Sequence, residues 1–60
     1  MKYILKTNKF YFLGFDKAGI YPQWMTTPDE AKRYNTEEEL KSEALNISWL
    51  TAYEIIKVDE

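Results

Sequence analysis

Neither cysteine nor histidine occurs in this chain of 60 residues, and that double absence constrains it more than any motif it carries. A disulfide framework, a Cys/His zinc site, a thiol nucleophile and a Ser-His-Asp triad each need a group the chain lacks. So short a domain buries only about 60% of the surface its unfolded chain exposes, and no covalent or metal staple compensates here. Stability has to come from dense apolar packing, from self-association, or from both. The composition allows the first: ten residues are Phe, Tyr or Trp, and each can bury roughly 150–250 Å². One domain over residues 1–60 is expected, with no metal and no cofactor. No apolar stretch reaches the length of a membrane span, and the opening Met-Lys-Tyr-Ile-Leu-Lys-Thr-Asn-Lys lacks the apolar segment of a signal peptide. A cytoplasmic protein is expected.

Hydrophobic periodicity places the elements. Residues 2–6 alternate Lys2, Ile4 and Lys6 against Tyr3 and Leu5, the period of a half-buried strand. Thr7-Asn8-Lys9 predicts a hairpin loop in which Asn8 takes the left-handed conformation. Residues 10–15, almost wholly apolar and rich in aromatic rings, predict a central strand with a bulge or close backbone approach at Gly14. Asp16-Lys17-Ala18-Gly19 predicts a turn with positive φ at Gly19. A third strand follows over residues 20–25, which Pro22 confines to an edge or a bulge. Thr27-Pro28-Asp29-Glu30 combines a cap residue, a proline at the first helical position and an acid at the capping-box position, and predicts one short helical turn. Arg33-Tyr34-Asn35 predicts a short extended piece. Thr36-Glu37-Glu38-Glu39 repeats the box and opens the main helix, expected to run to about Leu45 with Asn46 as its C-cap. Leu40, Ala44, Leu45 and Ile47 form its apolar stripe, and Glu37 with Lys41 makes a favourable i,i+4 pair. Residues 52–58 predict a closing strand with Ile55 and Ile56 on opposite faces. The fold class is therefore α+β: an antiparallel sheet of three to four strands, in the order β-β-β-α-β, with one main helix packed on one face.

A helix of about three turns is roughly 15 Å long and about 10 Å wide, and covers one side of such a sheet. Strict alternation sets Tyr3 and Leu5 against Ile4, Phe10 and Phe12 against Tyr11, Leu13 and Phe15, and Ile55 against Ile56 and Val58. The side without the helix would then present aromatic and aliphatic groups, and such a patch marks an interaction site. Tyr11, Phe15, Tyr21, Trp24, Trp49 and Tyr53 are the candidate binding residues, because Tyr and Trp dominate interface hot spots. The competing reading has the termini and the Trp49 loop folding over these residues, which leaves scattered exposed rings of no consequence.

Charge is divided unevenly. Residues 1–28 hold four lysines against Asp16, a net of +3, and residues 29–60 hold nine acids against four bases, a net of −5. Lys9-Phe10-Tyr11-Phe12 echoes the aromatic strand of RNA-binding folds, but without the interleaved glycines. With the chain acidic overall, nucleic acid is not an expected partner. Glu37-Glu38-Glu39 needs no phosphate-mimicking role, because carboxylates in a first helical turn stabilise it by about 0.3–1 kcal/mol each. Asn46-Ile47-Ser48 matches a glycosylation sequon, of which a cytoplasmic protein makes no use. No carboxylate pair, lysine or tyrosine stands at a spacing diagnostic of catalysis, and the chain has little room to wall a pocket of about 300 Å³. Enzymatic activity is not expected.

Taken in order, Tyr3-Ile4-Leu5-Lys6, Phe12-Leu13-Gly14-Phe15-Asp16, Trp24, Glu30-Ala31-Lys32-Arg33-Tyr34, Thr36-Glu37-Glu38-Glu39 and Tyr53-Glu54-Ile55-Ile56-Lys57-Val58 resemble the small uncharacterised accessory proteins encoded by phages and prophages of Gram-positive bacteria. The likeness runs nearly the full length. It departs at Leu40, where alanine is more typical, and this implies a different packing of the helix. The resemblance implies an accessory role such as blocking a host enzyme or an antiviral defence system, and it names no catalytic residue. The first expectation is thus a homodimeric binding protein, in the host cytoplasm and without a membrane partner. It would inhibit a bacterial host or defence protein by occlusion through an aromatic sheet face. The alternative is a small-molecule binder whose paired subunits sequester a signalling nucleotide, with aromatic rings on the base and Lys6, Lys9 or Arg33 on phosphate.

Overall fold

Six residues, Lys2–Thr7, form β1 and six more, Phe10–Phe15, form β2, in a computed structural model that describes all of residues 1–60. Asn8, at φ 56°, turns the chain between them, as a short amide side chain permits. After β2 the Asp16 carbonyl accepts from Gly19 N–H at 2.9 Å, with Gly19 at φ 71°, and the Asp16 carboxylate accepts from Ile20 N–H at 3.0 Å. That carboxylate also takes Tyr21 N–H, so the turn consumes two residues expected of the third strand. The strand, β3, is confined to Pro22–Met25 and lies at the sheet edge, where the missing proline N–H costs no ladder bond. The helix α1 spans Glu37–Ala44, and Thr36 caps it by accepting from Glu39 N–H at 3.2 Å. The last strand, β4, is Glu54–Val58. All pairings are antiparallel and the sheet order is β3-β2-β1-β4, so the α+β expectation holds with four strands.

Two local expectations fail, those for Leu45 and for the Glu37–Lys41 pair, while the Thr27-Pro28 start gives the single turn expected of it, closed by Ala31 N–H on the Pro28 carbonyl at 3.1 Å. The chain beyond it is drawn into the sheet. Lys32 N–H donates to the Phe12 carbonyl, and Tyr3 and Tyr34 exchange both backbone hydrogen bonds, all at 2.9 Å. Residues 32–34 thereby fill the gap where β2 leaves β1. Leu45, assigned to the buried stripe, is 84% exposed, because the helix ends at Ala44 and the chain turns there to bury Ile47 instead. The ion pairs that form are Lys32 with Glu43 and Arg33 with Glu60, and they do not include Glu37 with Lys41.

The larger correction concerns the faces. Phe12 pairs with Trp24 but Gly14 pairs with Gln23, so Leu13 is the extra residue of a β-bulge, with Gly14 at φ 119°. The bulge reverses the alternation beyond it. Phe15 therefore joins Phe12 on the helix side, with ring centroids 5.4 Å apart edge to face. The core on that side is Leu5, Phe12, Tyr34, Leu40, Ala44 and Ile47, with Tyr3, Phe15, Trp24, Leu50, Tyr53 and Ile55 packed around it. The face away from the helix is the less aromatic one. Its centre, Ile4, is only 1% exposed and pairs with half-buried Ile56.

Candidate functional site

Aromatic rings lead from the core to the surface in sequence. Phe12 lies 5.3 Å from Trp24, and Trp24 lies 5.5 Å from Trp49, with each pair tilted by about fifty degrees (53° and 48°). The sheet places Trp24 through its pairing with Phe12, and the loop after α1 places Trp49. A hydrogen bond from Thr7 Oγ1 to the Ala52 carbonyl, 3.0 Å, ties the hairpin end to that same loop. Between them lies an open cleft of about 480 Å³ lined by Thr7, Asn8, Phe10, Trp24 and Trp49. No charged side chain lines it. Phe10 and Trp49 are 43% and 59% exposed, so water covers much of both rings.

A second groove, of about 560 Å³, runs between residues 32–35 and α1, and all its lining residues but Tyr34 are polar or charged. Three of its groups, those of Lys32, Tyr34 and Glu43, are occupied with one another. Glu43 Oε1 accepts from Lys32 Nζ at 2.7 Å and from the Tyr34 hydroxyl at 3.0 Å, and Lys32 Nζ also lies 5.2 Å from the Tyr34 ring centre. Burial first, then the hydrogen bond and negative charge of Glu43, push the Tyr34 hydroxyl far above its ordinary range. A neutral tyrosine bridging sheet and helix locks the fold. No group of three or more Asp or Glu side chains stands close enough to hold a metal ion.

The six candidate binding residues do not share one face. Trp24 and Trp49 meet in the cleft, while Phe15 and Tyr53 pack around the core on the helix side. Tyr11 lies on the opposite side beneath Lys6, whose Nζ is 5.6 Å from its ring centre, and Tyr21 is exposed in the turn before β3. Nor do the three candidate phosphate ligands meet. Lys6 is over Tyr11, Lys9 is at the hairpin tip, and Arg33 is engaged by Glu60 at 2.9 Å and by the carbonyls of Pro28 and Ala31. Phe10, Thr7 and Asn8 were not among the candidates. Their signal was available in part, since the hairpin sets Phe10 two residues from Phe12 and on its face. The approach of Trp49 was not, because it depends on how the loop after α1 returns. Comparison with family models, with curated proteins and with solved structures finds no match to this chain.

Proposed function

We propose that this chain is a non-catalytic binding module, that its contact surface is the aromatic cleft at the hairpin end, and that it inhibits a bacterial host or antiviral-defence protein by covering it. The supporting observation is the exposure of Phe10 and Trp49 around an uncharged hollow with Trp24 as its inner wall. Single exposed rings need no explanation. Rigid rings gathered around one hollow are what interface hot spots are made of, since they bring large contact area at small entropic cost. The lack of any cation on the lining favours an apolar protein segment over a nucleotide, whose phosphates would meet no partner there. The kind of partner rests on the likeness to phage accessory proteins.

The test is retention of a partner from bacterial lysate by the tagged chain, identification by mass spectrometry, and then affinity measured for Trp49→Ala and Phe10→Ala. Loss of a hot-spot ring costs about 2 kcal/mol or more, roughly thirtyfold in Kd. Near-ultraviolet circular dichroism establishes that the variants stay folded. A partner held equally well by both variants places the contact elsewhere, and a chain that retains nothing overturns the reading.

A further inference from the structure

Residues along an antiparallel pair alternate between those that exchange hydrogen bonds and those that do not. Tyr3 commits its N–H and C=O to Tyr34, on the side of β1 away from β4. The pair Tyr3 with Lys57 is therefore a non-bonded one, and Lys2, Ile4 and Lys6 exchange bonds with Val58, Ile56 and Glu54. By the same alternation the N–H and C=O of Ile55 and of Lys57 point outward, away from β1. β4 is the outermost strand, and no other hydrogen bond of the chain engages those four groups.

Natural sheets blunt such edges with proline, bulges or very short strands. The opposite edge is treated so: β3 has four residues, begins at Pro22 and pairs across the bulge. β4 has five residues in unbroken register without proline or bulge; its exposed Glu54 and Lys57 are the one protective feature it carries, and Ile55, Ile56 and Val58 on it are half-buried. From this we infer that β4 pairs antiparallel with β4 of a second copy, joining two four-stranded sheets into one. A two-fold axis normal to the sheet requires outward-pointing residues to meet outward-pointing residues. Centred on Ile56, the register sets Ile55 opposite Lys57 of the copy and Glu54 opposite Val58, and overlaps all five residues. No like charges then stand directly opposite. A shift of one residue breaks the hydrogen-bond phase. A shift of two sets Lys57 against its own counterpart in one direction and leaves both Lys57 and Val58 outside the overlap in the other. The contact uses none of the aromatic cleft, so it stands or falls separately from the function proposed above.

A five-residue edge is about 17 Å long, and a contact one strand wide along it buries well under the roughly 800 Å² per partner of a standard stable interface. The dimer is therefore a weak one, with Kd between about 10 μM and 1 mM. Sedimentation equilibrium across that range, with amide hydrogen exchange at each end of it, tests the inference. The expected result is a rise toward twice the monomer mass, with protection of the Ile55 and Lys57 amides increasing about tenfold while that of Ile56 stays constant. Lys57→Pro removes one outward donor and no bond to β1, and should hold the chain monomeric with its circular dichroism unchanged. Should that variant misfold, chemical synthesis with an N-methyl group on the Lys57 amide makes the same deletion. A monomer at 1 mM, or a dimer in which the Ile55 and Lys57 amides exchange as in the monomer, would overturn the pairing.

Discussion

Tyr34→Phe removes one hydroxyl and tests the lock between sheet and helix. Tyr34 is 5% exposed and donates to Glu43 Oε1 at 3.0 Å, while Lys32 Nζ holds the same oxygen at 2.7 Å. At neutral pH the variant loses one hydrogen bond but leaves Glu43 its lysine, so the cost is about 0.5–1.5 kcal/mol. At high pH the cost shrinks. The tyrosine's ordinary value is 10.0, and the fold raises it. Above pH 10 the unfolded chain releases this proton while the folded chain keeps it, so stability falls as pH rises. One such group has withdrawn about 1.4 kcal/mol by pH 11, where the unfolded form is an order of magnitude more ionised than protonated. That is a sizeable share of the roughly 3–9 kcal/mol expected for a chain of this length. Urea unfolding of both proteins from pH 8 to pH 11 is the assay. The substitution removes no other ionisable group, so the difference between the two curves isolates Tyr34. Convergence of the curves by about 1.4 kcal/mol is the expected result, and a difference that stays constant to pH 11 would refute the reasoning.

Three further outcomes follow from burial and hydrogen bonding. Leu40→Ala empties the fully buried position on the helix and should lower the unfolding free energy by about 2–5 kcal/mol, a large share of a total of about 3–9, seen as a marked fall of the urea midpoint or loss of a cooperative transition. Leu45→Gln, one turn away and exposed, should stay within about 0.5 kcal/mol of the parent, and a loss comparable to that of Leu40→Ala would place the wrong face of α1 against the sheet. The Asp16 carboxyl should titrate below 3.8 by carbon-13 NMR: the Ile20 N–H holds it down most strongly, partial desolvation opposes this, and Tyr21 N–H adds to the lowering. What this adds to stability is present above 3.8 and is lost as the pH falls through the folded value, so Asp16→Asn should flatten that part of the acid limb.

Features set by one or two neighbouring residues were legible in the sequence. Asn8 and Gly19 adopt the positive φ their turns demand, Pro22 lies in the edge strand, and Thr36 caps the helix. Features set by competition between distant segments were not. Thr27-Pro28-Asp29-Glu30 makes the single turn its own chemistry predicts, but nothing local to it shows that the residues after it bond to Phe12 and Tyr3 in the sheet. Gly14 is legible as a bulge or a close backbone approach, and the bulge that forms inverts the alternation expected of the strand, so Phe15 changes sides. The candidate site suffered most from that step. Trp24 and Trp49 meet in a cleft and not on the shared sheet face expected of them, and Phe10, which lines that cleft with them, is marked in the sequence only by its place two residues before Phe12.

The same bulge explains where the surplus aromatic surface ends up. By turning Phe15 toward the helix it collects Phe12, Phe15 and Trp24 on one side and leaves the other side to Ile4, Ile56 and their half-buried neighbours. That side closes over Ile4 without a helix. The helix side now has more ring than its lid can shelter: eight residues of α1 span about 12 Å, whereas the six-residue strands beneath run to about 20 Å. Leu40 and Ala44 reach the middle of the sheet, where Leu5 and Phe12 are buried. Toward the hairpin the only cover is the returning loop, which contributes Trp49, itself mostly exposed. Phe10, the first position beyond the turn, lies outside the core and stands exposed beside two tryptophans, and contact with another molecule is the role proposed for that cluster above.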